Sequence, residues 1–258
     1  MSFVFSILKK LFEPSSDQKG ALGEHEIASI VQKELRRGLK GFVLRNLYLP
    51  KSDGNTSEID VLLVSTKGLF LLESKNFIGY VFGDERYKDW TVSLYGGKNW
   101  LGQNRVKKYS FYNPIWQNKA HIKTLSNLIG SRFPTYSVIV FSDRCTQLKV
   151  RYHENETIVL QTGQLQSFFR GVREDYPDVL SANDVQTIYE RLSRYTQVGE
   201  RQKREHIAYV AEQRFNPQMC PWCGGNLIIR TAKKGLHPGQ RFYGCSNYPK
   251  CLYTYDLE

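Results

Sequence analysis

Hydrophobic and polar positions repeat along this chain in two rhythms, and each switch between them marks an element. Over GALGEHEIASIVQKELRR, residues Ala21, Glu24, Ile27, Ala28, Val31 and Leu35 fall three and four apart, the period of one helix face. Glu24 interrupts that stripe, and a carboxylate on an apolar face needs a partner or a rim position. FVLRNLYL reads as a strand and PKSDGNTS as a polar turn, followed by two strands around STKG. Beyond Gly79, a stretch rich in Gly, Tyr, Trp and Val, including DWTVSLY, predicts further twisted strands. YNPIWQNKAHIKTLSNLIG predicts a helix, with Pro114 in its first turn and Ile115, Ile122, Leu125 and Ile129 at roughly helical spacing. YSVIVFS and ETIVL read as buried strands, and SANDVQTIYERLSRY as a helix capped by Asn183 with Gln186 three residues on. The order implies an α/β fold, a mixed central sheet flanked by helices.

Within EIDVLLVSTKGLFLLESKN, residues 58–76, Asp60, Glu73 and Lys75 stand in a run otherwise apolar enough for a sheet interior. If Thr66 and Lys67 form the tip of a hairpin, Asp60 lies opposite Glu73 and Glu58 opposite Lys75. Glu73 and Lys75, two apart on one strand, share a face. Two carboxylates directly opposite each other repel by up to about 1 kcal/mol unless positive charge sits between them. A divalent cation supplies that charge. The alternative is a pair of strand ends reaching solvent, with Lys75 bridging one carboxylate. A three-residue turn would change the register altogether.

A formal net charge of +11 favours a polyanionic partner, nucleic acid first and an anionic membrane surface second. No apolar run is long enough to span a membrane as a helix. The start, MSFVFSILKKLFEPSS, lacks the order of a signal peptide, but Phe3, Ile7, Leu8 and Leu11 fall on one helix side that could dock on the protein, a partner or a membrane surface. Four of the five cysteines cluster near the C-terminus, a metal-site distribution that makes a reducing, cytoplasmic setting the default. Composition divides the chain into a hydrophobic tail (1–19), a main domain with a helical extension (20–198), a polar linker or exposed helix (199–217) and a small module (218–258).

In that last module Cys220 and Cys223, then Cys245 and Cys251, form a C-x2-C and C-x5-C pair of knuckles. Four thiolates with no open position point to structural zinc, and in so short a segment the metal contributes most of the folding free energy. Trp222, Arg241, Phe242, Tyr243 and Tyr248 interleave rings with cations, a composition suited to stacking bases and pairing phosphates of a single strand, while some of the rings cover the zinc site. CPWCGG followed by FYGCSNYPKC resembles the four-cysteine zinc ribbon at the C-terminus of bacterial type I DNA topoisomerases. The resemblance implies nucleic-acid contact and not topoisomerase activity, since nothing upstream is similar to that catalytic core.

GALGEHEIA, the EIDVLLVSTKGLFLLESKN hairpin and YNPIWQNKAHI together resemble the nuclease-related domain (NERD), a branch of the PD-(D/E)xK nuclease superfamily. The resemblance runs from Gly20 to about Gly130 and implies a restriction-endonuclease-like core. It places Glu24, Asp60, Glu73, Lys75 and Gln117 in the family's active-site set, with Asp60 and Glu73 holding Mg2+ or Mn2+. It also implies phosphodiester hydrolysis in DNA, or else RNA. A non-catalytic nucleic-acid-binding protein that keeps the fold is the alternative. One departure is Ile59, which precedes Asp60 where the superfamily's name has proline. The five histidines form no recognised metal or triad spacing, and Cys145 reads as an inert thiol.

Overall fold

The computed structural model describes residues 16–98, 104–215, 220, 226–232, 238–249, 251 and 253–256. The Phe3, Ile7, Leu8 and Leu11 stripe lies outside the described residues, as do Trp222 and Cys223. The architecture is the mixed α/β arrangement expected. A central sheet runs in the order β1 (Gly41–Pro50), β2 (Thr56–Ser65), β3 (Gly68–Lys75), β7 (Thr135–Phe141), β9 (Thr157–Gln161). β1, β2 and β3 form an antiparallel meander, to which β7 and β9 add in parallel.

Because side chains alternate along each strand, this sheet has two apolar faces, and each is covered by helices. Helices α1 (Ser16–Arg36) and α3 (Thr162–Asp175) bring Ile27, Ala28, Val31, Leu165, Phe169 and Val172 against Val61, Leu63, Phe70 and Leu72. On the other face, α2 (Pro114–Ile129) and α4 (Ala182–Ser193) set Leu125, Val185, Ile188 and Leu192 against Leu62, Val64, Leu69 and Leu71. Helix α3 lies outside the elements expected from the sequence, although Leu165, Phe168, Phe169 and Val172 fall three and four apart on its buried side. Helix α4 is capped by Ser181 rather than Asn183: the Ser181 hydroxyl accepts from the Asp184 amide at 3.1 Å, and the Asp184 carboxylate accepts from the Ser181 amide at 3.1 Å.

A second sheet, β6 (Asn104–Tyr112), β5 (Asp89–Lys98), β4 (Gly79–Asp84), β8 (Cys145–Arg151), grows from the carboxyl ends of β3 and β7 and packs Val81, Trp90 and Val92 onto Phe141 and Ile139. The charge-dense stretch after residue 199 forms helix α5 (Glu200–Phe215), whose buried His206 docks on β2. The C-terminal module is a three-stranded sheet of β10 (Leu227–Thr231), β11 (Arg241–Cys245) and β12 (Thr254–Asp256). Among the described residues, no helix is long and apolar enough to cross a membrane.

Candidate active site and metal-binding ribbon

The hairpin folds in the register expected, with Ser65 opposite Gly68 and Val61 opposite Leu72. Its turn depends on Gly68, whose φ of 121° is a left-handed conformation and whose missing Cβ would lie 2.8 Å from the Tyr136 ring. The antiparallel ladder stops at Val61, so Asp60 is free to swing its carboxylate across, where it accepts the Ser74 amide at 2.8 Å. The expected facing of Lys75 and Glu58 does not form. Lys75 pairs with Phe141 of β7 instead, and its ammonium donates to Glu73 Oε1 at 2.5 Å and to Gln117 Oε1 at 3.1 Å. Glu58 turns to the other edge, accepting the Tyr48 hydroxyl at 2.5 Å, with His206 Nε2 of α5 at 3.5 Å. The change arises at Asn46, whose φ of 51° breaks the alternation of β1, so that Leu44, Leu47 and Leu49 all reach the same core. In the β1–β2 register Asn46 is the residue skipped between Arg45–Val61 and Leu47–Ile59, beside Asp60.

Two helices bring the remaining groups. Gly23 lets α1 approach the end of β3, since a Cβ there would lie 2.8 Å from Ser74 Oγ, and the next residue is Glu24. Helix α2 begins at Pro114, with Asn113 as a fully buried cap: its Oδ1 accepts the Ile115 amide at 2.9 Å, and its Nδ2 donates to the Tyr87 carbonyl at 2.7 Å. One turn in, Asn118 donates to the Leu71 carbonyl at 3.1 Å and to Ser137 Oγ at 2.9 Å, pinning α2 to β3 and β7. Its neighbour Gln117 is thereby held over Lys75.

Glu24, Asp60, Glu73, Lys75 and Gln117 thus come from α1, β2, β3 and α2 to one end of the central sheet. Burial and then the Glu73 charge hold the Asp60 carboxyl well above its ordinary range; Lys75 opposes that shift, as does the Ser74 amide. Burial, followed by the charge of Glu58, raises Glu24, with Arg45 opposing. Sequence reasoning set His121 aside, yet it lies one helical turn beyond Gln117 on α2, a spacing that could have found it. Its Nδ1 meets Ser57 Oγ at 2.6 Å, while its Nε2 is buried, without a hydrogen-bond partner, 3.7 Å from Glu73 Oε2. Burial pushes this imidazole down to about 4, so it is neutral at physiological pH. Asn46 Oδ1 and Arg45 Nε are likewise buried and unpartnered.

Among the described residues, three metal-donor atoms lie within 4.8 Å of one another only at Cys220, Cys245 and Cys251. Cys220 Sγ and Cys251 Sγ are 3.6 Å apart, against the roughly 3.8 Å edge of a tetrahedron with 2.3 Å zinc–sulfur bonds. All three thiols are buried, and the Asn247 amide donates to Cys245 Sγ at 3.4 Å. The donor set fits zinc, with Cys223 the fourth ligand by sequence. Of the rings and cations expected to meet nucleic acid, Tyr248 and Arg241 are exposed, the Arg230 guanidinium lies 5.4 Å from the Tyr248 ring, and Phe242 and Tyr243 are half-buried. Tyr253, 2 % exposed, packs edge-on against Trp116 of α2, with ring centroids 5.0 Å apart.

Residues 19–142 match the family model described as nuclease-related domain, and residues 217–258 the one described as topoisomerase DNA binding C4 zinc finger. An uncharacterized protein of Bacillus anthracis is 31 % identical over 193 residues, spanning 74 % of this chain and 84 % of that protein. DNA topoisomerase 1 of Pyrococcus horikoshii is 47 % identical over 51 residues, which is 19 % of this chain but 7 % of that protein. The uncharacterized protein YrdD of Escherichia coli is 44 % identical over 43 residues, covering 17 % of this chain and 21 % of its own length. Likeness to the topoisomerase therefore covers about a fifth of this chain. No solved structure matches the chain.

Proposed function

Because the chain belongs to the nuclease-related domain family and ends in a topoisomerase-type zinc ribbon, we propose that it is a metal-dependent nuclease hydrolysing phosphodiester bonds in DNA, with RNA the alternative polymer. The observation that carries this reading is the Lys75 ammonium, bridging Glu73 at 2.5 Å and Gln117 at 3.1 Å beside the strained Asp60. The buried Glu73 and the half-buried Asp60, which repel each other, with unpartnered Asn46 Oδ1 and His121 Nε2 beside them, offer the hard oxygen donors and spare polar atoms that suit Mg2+ or Mn2+. Asp60 and Glu73 would hold the ion, and Glu24 would complete the acidic set. When bound, such an ion activates water and offsets charge developing on phosphate oxygens.

The chain's own groups divide the remaining work. Lys75 orients the attacking water and steadies negative charge on the phosphate. Gln117 gives its Oε1 to Lys75, so its amide N–H groups are what it offers to water or phosphate. The Ser74 amide fixes the Asp60 carboxylate, and the ribbon holds the strand. Labelled single-stranded, duplex and forked DNA and matched RNA, incubated with Mg2+ or Mn2+, should be cut by the wild type and at least about 100-fold more slowly by Lys75→Ala. Tight binding without cleavage by either protein would reject catalysis. The second reading, a non-catalytic nucleic-acid-binding protein, draws on the absence of any carboxylate trio within 4.8 Å among the described residues.

A further inference from the structure

We propose that the outer face of the second sheet is a binding platform for single-stranded nucleic acid, separate from both the carboxylate site and the ribbon. Val81, Val92 and Trp90 turn inward to the core, so the alternate residues of the same strands face out. Registers across β8, β4, β5 and β6 set Gln147, Tyr80, Ser93 and Lys108 in one row and Lys149, Phe82, Thr91 and Ser110 in the next. Tyr80 and Phe82 are 46 % and 40 % exposed, far more than core packing leaves an aromatic ring. They stand two residues apart on one strand, about 6.8 Å along it, with Lys108 and Lys149 exposed at their flanks. Past Phe82 a cleft of about 600 Å³ opens, lined also by Tyr87, Asp84, Asp89, Lys149 and Arg151. Of its two carboxylates, Asp84 is paired with Arg86 at 2.7 Å.

Exposed rings between cations match one class of partner. Unpaired bases present π-faces to stack on the rings, while their phosphates meet the lysines. A duplex keeps its bases inside the helix and would use only the cations. A protein interface core is depleted in lysine, and a second copy of this face would set like charges against each other. β4 begins four residues after Lys75, so the platform starts close along the chain to the candidate active site. The platform does not require catalysis, and its test therefore omits Mg2+ and Mn2+.

The test is fluorescence anisotropy of a labelled oligodeoxythymidine and of a matched duplex, without added divalent metal, for the wild type and Tyr80→Ala/Phe82→Ala. Loss of the two rings should weaken single-strand binding at least about tenfold and leave duplex affinity within about twofold. Unchanged single-strand affinity, or an equal loss for both polymers, would overturn the platform. Should the double variant fail to fold by circular dichroism, photocross-linking of a bromodeoxyuridine strand to the wild type decides. Adducts on Tyr80 or Phe82 support the platform, and adducts confined to other residues reject it. Failure of the nuclease reading would appear separately, as binding that survives while cleavage with Mg2+ or Mn2+ is absent.

Discussion

Asp60 is half-buried, and its carboxyl faces the buried Glu73 from a position with little room for a second charge. A carboxyl raised by burial and by Glu73 costs stability when it ionises. Its folded pKa lies above its unfolded value, so the stability held by the protonated form is present below the ordinary carboxylate range and is lost as pH rises through the raised value. In metal-free buffer at pH about 7, Asp60→Asn should therefore melt above the wild type, by roughly 2–4 °C per kcal/mol relieved. The gap should narrow as pH falls toward about 3, below the ordinary aspartate value, where Asp60 is mostly protonated in both states. Scanning calorimetry at the two pH values checks this, and identical melting at both would show that Asp60 is not strained. The residues named from the sequence do converge, because the hairpin register follows from local turn chemistry at Thr66, Lys67 and Gly68. His121 was legible only as a position one helical turn beyond Gln117, its unpartnered Nε2 and the left-handed Asn46 existing only once distant strands and helices have met.

At the scale of elements, α2 is the part that aims the site. Its start was legible because Asn113-Pro114 is a local signal, a capping side chain followed by a residue preset for the first turn. At α4 the same logic misplaced the cap by two residues, since Ser181 with Asp184 and Asn183 with Gln186 both fit a capping pattern. The choice fell to the residue where the chain turns from extended backbone into helix, Ser181 at φ −71°, ψ 160°. Asn113→Ala would remove the cap and take from the Tyr87 carbonyl the donor that now serves it at 2.7 Å, while the Glu85 carbonyl keeps the Trp116 indole N–H at 2.7 Å. The expected loss is about 1–3 kcal/mol, read as a lower urea midpoint with unchanged slope, and a change below about 0.5 kcal/mol would contradict the role given to this cap. Of the second sheet, β4 and β5 were legible as strands, while β6 and β8 were not, and neither was the sheet. β4 pairs with β8 across some sixty intervening residues, and no local pattern encodes that partnership.

At the scale of the molecule, the ribbon rests on helix α2 through Tyr253 and Trp116, next to Gln117. Cys220→Ser should release zinc and unfold the ribbon while the central sheet, with its own two-faced core, stays folded. Metal analysis, a red shift of tryptophan emission as Trp116 loses Tyr253, and an unchanged main urea transition would accord with that. A single cooperative loss of both parts would instead make the ribbon integral to the core. The central claim is that the buried charges at the end of the hairpin exist to hold a catalytic divalent ion, and calorimetric titration of Mn2+ into zinc-loaded protein tests it most directly. The wild type should bind at least one Mn2+ per chain beyond zinc, with affinity weakened at least about tenfold by Asp60→Asn or Glu73→Gln. A wild type that takes up no Mn2+, or binds it no better than either variant, would contradict the account and leave a nucleic-acid-binding protein with a structural charge cluster.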